Sequence, residues 1–283
     1  MSYLTPKSTE EALALLGQAG ADVLAGGTDF FPSRGARPQT RSILDLGQIE
    51  SLCGIEKTAQ GWRIGAMTTW SQIQRADLPP AFDALKRAAR EVGSVQIQNR
   101  GTIAGNLCNA SPAADGVPPL LALDAEVEIG SPGATRRVLL SDFVTGVRRV
   151  ALSPGELVLA VHVRSLPDDA VSHFLKLGSR RYLVISIAMT AAVLELDGPR
   201  IATARIAVGA CSPVAQRLPE LEAALVGLTA AEVAALPVVP ETHLAPLAPI
   251  ADVRGSAAYR MRAVADLCRR TVIAAMTGGT TDE

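Results

Sequence analysis

Two stretches of this chain set glycines among polar side chains directly after apolar residues: "VLAGGTDFFP" at 23–32 and "RGTIAGNLCNASPAAD" at 100–115. Glycine adopts dihedrals closed to other residues and leaves space above the backbone, so adjacent N–H groups can converge on one ligand. In the first stretch an apolar strand runs into Gly26 and Gly27, and the resulting nest suits a diphosphate. Thr28 adds a hydroxyl donor, whereas Asp29, an acceptor when ionised, suits sugar hydroxyls or backbone amides. Alone, this is also the composition of a plain turn between two strands. The second stretch carries Thr102, Gly105, Asn106, Asn109, Ser111 and Asp115, which makes it too polar and too glycine-interrupted for a core strand. It predicts a loop bearing donors and acceptors, which could also satisfy its own backbone through Asx and Ser turns. Neither stretch is a G-x-G-x-x-G opening a helix, and no G-K-[ST] occurs, so a Rossmann or P-loop phosphate site is not described. A long ligand with a central diphosphate, hydroxyls on both sides and a terminal ring system would use both loops.

The surrounding pattern predicts a small α/β unit first, with a helix over 10–18 and strands at 22–25 and 42–45. From Trp62 the pattern gives a strand and a helix, a clearer helix in "PPAFDALKRAAREVG", a long loop-rich passage, and the strand "AEVEI". Pro and paired Asp in "RSLPDDAVSH" interrupt the strand "ELVLAVHVR" and mark a boundary. Residues 1–167 are expected to form one domain of two subdomains, about 1–53 and 54–167, and residues 168–283 a second. The second domain reads as three strands, the helix "LPELEAALVG", an Ala, Val and Pro-rich link, and a long helix over 256–276, an α+β arrangement. The tail 277–283 is expected to fray.

Several function classes are disfavoured. With 27 Lys plus Arg against 28 Asp plus Glu, the chain offers no broad attraction for nucleic acid or an anionic membrane. The N-terminus reads as a helix start rather than an export signal, and the most apolar run, 182–196, is shorter than a spanning helix needs and carries Ser186 and Thr190. It predicts a buried element of a cytoplasmic protein. Cys53, Cys108, Cys211 and Cys268 are dispersed, as are His162, His173 and His243, so no metal site is expected and the cysteines read as small buried apolar residues. No nucleophile, base pair or triad stands out, so no catalytic residue is assigned.

Four segments carry a resemblance to a known family. "LAGGTDFFP" resembles the first flavin loop, and "GTIAGNLCNASPAAD" the second (T-x-G-G-N, then A-S-P-x-x-D), of the FAD-binding medium subunits of the xanthine dehydrogenase and carbon monoxide dehydrogenase class of molybdenum hydroxylases. "FLKLGSRRYLVIS" is similar to the strand that opens that family's C-terminal domain, and "DVRGSAAYRMRAVADLCRR" to its closing helix. One departure is Ala104, where the family has the first of two glycines; its methyl fits if φ there is negative.

The resemblance implies an α+β chain: a two-lobed FAD-binding domain of the vanillyl-alcohol-oxidase (PCMH) type, then a C-terminal α+β domain with an antiparallel sheet and helices. It implies that Ala25, Gly26, Gly27, Thr28 and Asp29 hold the FAD diphosphate and ribityl region, with Thr102, Gly105, Asn106, Asn109, Ser111 and Asp115 lining the other side. Val23, Gly93, Ile97, Leu157 and Val158 would add backbone or apolar contacts, and Lys176 would reach the flavin end; Arg180, Arg181 and Tyr182 are weaker candidates. From its own composition Lys176 reads as a solvated strand-edge lysine. The implied role is an FAD-containing oxidoreductase subunit of a hetero-oligomer. Electrons would pass from [2Fe-2S] clusters on an iron-sulfur small subunit, fed by a molybdopterin large subunit, to an acceptor such as NAD, quinone or oxygen. The lack of cysteine clusters argues against the branch whose flavin subunit carries an inserted iron-sulfur loop. Purine, aldehyde, nicotinate-like heterocycle and carbon monoxide all stay open as substrates of the complex. The alternatives are a stand-alone FAD-dependent oxidoreductase of the same fold and a non-catalytic dinucleotide-binding module.

Overall fold

The computed structural model of the chain describes residues 2–279; residues 280–283 of the tail lie outside the described residues. Strand β1 (Tyr3–Leu4) leads to helix α1 (Thr9–Ala19), and β2 (Asp22–Leu24) and β3 (Ile43–Asp45) complete a parallel sheet of order β1-β3-β2. Helix α1 starts because Ser8 Oγ accepts from the Glu11 amide, and it stops at Gly20 with φ 54°. Its Ala12, Leu13 and Leu16 bury beside Leu44. Ligands of parallel sheets gather at the carboxyl ends of strands, and residues 25–29 leave β2 at that end.

The second lobe begins with the hairpin β4 (Ile55–Thr58) and β5 (Gly61–Gly65). Five helices follow: α2 (Trp70–Arg75), α3 (Asp83–Glu91), α4 (Val95–Gln98), α5 (Ile103–Asn109) and α6 (Val117–Ala122). The chain then returns through β6 (Glu126–Ser131), β7 (Ala134–Leu139), α7 (Leu140–Phe143), β8 (Val144–Gly146), β9 (Arg149–Val150) and β10 (Leu157–Arg164). An antiparallel sheet of order β4-β5-β10-β6-β7 results. Its Ile64, Val127, Ile129, Val161 and Val163 alternate into the core, and the other face pairs Arg63 and His162 with Glu128.

The passage over 100–115 differs from the loop read from sequence, because much of it is α5. Gly105, Asn106 and Asn109 are weak helix formers, yet the amides at the helix start find acceptors elsewhere. The Ile103 N–H donates to Thr68 O at 3.0 Å, Ala104 to Ala66 O at 3.2 Å, and Gly105 to the Thr102 side chain at 3.1 Å. Ala104 is therefore helical, with a negative φ, and its methyl is tolerated. Prolines at the start of α6 lack only donors that a first turn leaves unused.

The remaining strands are β11 (Val171–Leu177), β12 (Ala188–Asp197), β13 (Arg200–Gly209) and β14 (Gln216–Arg217), an antiparallel sheet in that order. Helices α8 (Pro219–Leu225), α9 (Ala230–Ala235), α10 (Pro240–His243) and α11 (Ala257–Thr277) follow. The Ala, Val and Pro-rich link is thus partly helical, Thr229 capping α9 in a reciprocal box with Glu232. Along β12 the period of two splits the core: Met189, Ala191 and Val193 join the cluster of the first half, while Ala188, Ala192 and Leu194 join a second cluster with α8 and α11. The sheet is thus a shared wall. The apolar run 182–196 is not one buried element, since Tyr182, Leu183 and Ile185 are exposed and the strand starts at Ala188. Among the described residues no helix is long and apolar enough to cross a membrane.

Candidate functional site

A cleft of about 390 Å³ opens between the two lobes of the first half, within the usual size of small-ligand sites. Val23, Ala25, Gly26, Gly27, Thr28 and Asp29 form one wall. The opposite wall is Ile97, Thr102, Gly105, Asn106 and Asn109, and Leu157 and Val158 close the floor. A bulge in β10 at residue 159, between Val158 and Ala160, breaks the ladder to β6 beside that floor.

The first wall is built of donors. Among the described residues, none of the amides of Gly26, Gly27, Thr28, Asp29 and Phe30 donates a backbone hydrogen bond within the chain. Gly27 has φ 76°, which turns the loop back on itself. Gly26 serves close approach: a β-carbon there would stand 1.9 Å from Arg100 O and 2.7 Å from Arg100 C. The two glycine-bearing segments therefore touch backbone to backbone. On the second wall, Asn106 Oδ1 is buried and accepts no hydrogen bond. A buried orphan acceptor is costly and unusual, so a donor from a ligand suits it. Arg148, itself at φ 56°, donates to Asn109 O at 3.0 Å and to its side-chain oxygen, fixing that residue. An anion for the amide run, a hydroxyl-bearing linker beside Asp29 and an apolar moiety over Leu157 and Val158 fit this donor set, and FAD has all three.

Four residues expected in the site do not line the cleft. Gly93 shapes a turn at φ 53°, where a β-carbon would meet Ile97 Cβ at 2.9 Å. Ser111 accepts from the Ala113 amide at 3.3 Å, a local turn. Asp115 and Lys176 are occupied with each other, Nζ to Oδ2 at 2.7 Å, with side chains 9% and 6% exposed. Lys176 is therefore no solvated edge lysine. Burial pushes Asp115 above the ordinary carboxylate range, and Lys176 and Ser186 oppose that rise. Arg180 bonds within its own segment, to Tyr182 O at 3.1 Å, and Tyr182 points to solvent.

Sequence reasoning missed Ala66, Met67, Trp70, Cys108 and Glu156 in the lining. Thr69 caps α2 in a reciprocal box with Gln72, which seats Trp70 under the Arg100–Gly101 turn, its amide 3.1 Å from Gly101 O. Cys108 sits one helical turn beyond Gly105, and that spacing was the available signal. Cys53 and Cys108 are exposed, against the expectation of four buried cysteines, although the protein mass around Cys108 pushes its thiol up to about 12. Cys211 and Cys268 are buried as expected.

Comparison with known proteins agrees with this geometry. Residues 1–165 match the FAD binding domain in molybdopterin dehydrogenase, and residues 173–275 the CO dehydrogenase flavoprotein C-terminal domain. The chain is 31% identical over 277 residues to the nicotine 6-hydroxylase medium subunit of Paenarthrobacter nicotinovorans, covering 96% of each. It is 32% identical over 274 residues to the carbon monoxide dehydrogenase medium chain of Afipia carboxidovorans, covering 95% of this chain and 94% of that one. A solved Cu,Mo-CO dehydrogenase chain superposes with a TM-score of 0.89 at 29% identity, covering 99% of both.

Proposed function

Since this chain belongs to the family of FAD-binding medium subunits of molybdopterin dehydrogenases, with FAD as its cofactor, we propose that it is the subunit through which such a complex delivers electrons to an external acceptor. The electrons would come from [2Fe-2S] clusters on an iron-sulfur partner, fed by a molybdopterin partner, and leave to NAD, quinone or oxygen. The observation that carries the reading is the amide run of residues 26–30, without acceptors among the described residues and with Gly26 pressed against the Arg100 carbonyl. When bound, FAD supplies one-electron and two-electron chemistry, and the protein's task is to bind and orient it.

The proposed division of labour follows from the side chains. The amides of Gly26, Gly27 and Thr28 hold the diphosphate, Asp29 accepts from hydroxyls of the linker, and Asn106 offers its orphan oxygen to a donor. Leu157, Val158 and the buried Trp70 exclude water from the floor. Residues 1–167 would thus carry the cofactor, and residues 168–283 would back its wall. The test is purification from the native host. A yellow complex retaining an iron-sulfur and a molybdenum subunit is expected, with substrate turnover only in the complex. Full turnover by the isolated chain would overturn the proposal.

A further inference from the structure

The turn between β8 and β9 rests against the far end of α5. Arg148, at φ 56°, donates its N–H to Ala110 O at 2.9 Å, and Ala110 is itself the left-handed residue that closes the helix, at φ 44°. The Arg148 side chain turns the same way: Nη1 donates to Asn109 O at 3.0 Å and to Asn109 Oδ1. A cation is favourably placed against the last carbonyls of a helix, and here one nitrogen also takes a side-chain oxygen.

The carboxamide of Asn109 has two unlike ends, and this contact fixes which is which. A guanidinium only donates, so the carboxamide oxygen is engaged by Arg148 and the amide nitrogen is the end left over. Among the described residues that nitrogen donates no hydrogen bond, while Asn109 lines the cleft and Arg148 does not. Asn106, three positions earlier and so on the same face of α5, presents the opposite polarity, a buried oxygen that accepts from nothing. Two residues of one type thus offer the cleft an acceptor and a donor one turn apart.

We propose that Arg148 is a positioning residue that sets the polarity of Asn109, so that Asn109 meets FAD as a hydrogen-bond donor to an acceptor atom of the cofactor. The inference rests on FAD occupying the cleft. It adds a residue outside the lining to those that decide affinity, and it assigns the direction of one bond within the lining.

Asn109→Asp keeps the oxygen that Arg148 holds and replaces the amide nitrogen with a second acceptor. The flavin-free variant is expected to unfold at a parent-like temperature, while FAD binds about tenfold or more weakly in fluorescence titrations of the full chain. Asn109→Ala removes the donor without adding charge and should weaken FAD about threefold to tenfold. Arg148→Met frees the carboxamide to turn over, and a loss of about threefold is expected in the parent background. In the Asn109→Ala background the same substitution should change affinity by less than about twofold, because its effect passes through a side chain no longer there. An Arg148 acting only as a charge near an anionic ligand, or only as a brace for the hairpin, would give the same loss in both backgrounds, and that result overturns the proposal. Parental FAD affinity in Asn109→Asp, or failure of Asn109→Asp or Arg148→Met to fold, does so too. A parent chain that takes up no FAD overturns the cofactor reading as well, and the parent titration identifies that case.

Discussion

Gly26→Ala tests the packing of the two walls with the smallest possible perturbation. The added carbon would lie 1.9 Å from Arg100 O, and ordinary contact begins near 3.4 Å, so the two segments must separate by the difference, about 1.5 Å. Backbone atoms on both sides leave no side chain free to yield. A displacement of that size is enough to break hydrogen bonds, whose useful range spans only about 0.5 Å. If two amide bonds to a charged diphosphate are lost, at about 1.5–3 kcal/mol each, FAD affinity falls by about 3–6 kcal/mol, or roughly 10²- to 10⁴-fold. Gly27→Ala provides the comparison: its β-carbon meets only Leu24 and Phe31 side chains at 3.5 Å, but φ is 76°. Left-handed strain costs about 1–2 kcal/mol, so a milder loss of roughly 5- to 30-fold is expected. Flavin fluorescence titration of both variants, with thermal unfolding to confirm the fold, gives the ranking. Gly26→Ala binding within threefold of the parent, or more tightly than Gly27→Ala, would refute the reasoning.

Three other expectations use the same chain. Asn106→Ala removes the orphan acceptor, so the flavin-free protein should be no less stable while FAD binding weakens by about 1–3 kcal/mol; a stability loss without an affinity loss contradicts this. His173 is buried, and desolvation together with Arg87 lowers its pKa from 6.5 to about 4. Its depressed value means that the unfolded chain takes the proton first, so stability is intact above pH 6.5, declines as pH falls to about 4, and is level below. After allowance for solvent screening the decline is about 1–2 kcal/mol, and His173→Phe should abolish that part in thermal unfolding measured at several pH values. Finally, a thiol reagent should label Cys53 equally with and without FAD but Cys108 only without it, slowly because its thiol lies at about 12; peptide mass spectrometry reads both. Equal labelling of Cys108 in both states would place FAD elsewhere.

How much of this could be read from the residues depended on how local its cause was. Helix α1 was legible because Ser8 and Gly20 cap it from within the same segment, and the strands after it because each is a short apolar run, Val23–Leu24 and Ile43–Leu44. Helix α5 was not, since its first amides are satisfied by Ala66 and Thr68, which sequence spacing does not bring near. Glycines 26 and 27 looked alike, yet one answers a dihedral and the other a carbonyl 74 positions away, Arg100 O. Lys176 had the surroundings of a surface lysine until Asp115, distant in sequence, closed over it. The exposure of Cys108 likewise depends on a cleft formed between lobes, which no local pattern encodes.

The most direct measurement is amide hydrogen exchange of the full chain with and without FAD. Among the described residues amides 26–30 have no acceptor, so they should exchange rapidly when flavin is absent and become protected when it binds. Protection should appear together in peptides covering 24–31 and 100–110, because both walls of one cleft close on one ligand. FAD binding that leaves the 26–30 amides exchanging as before would contradict the central claim.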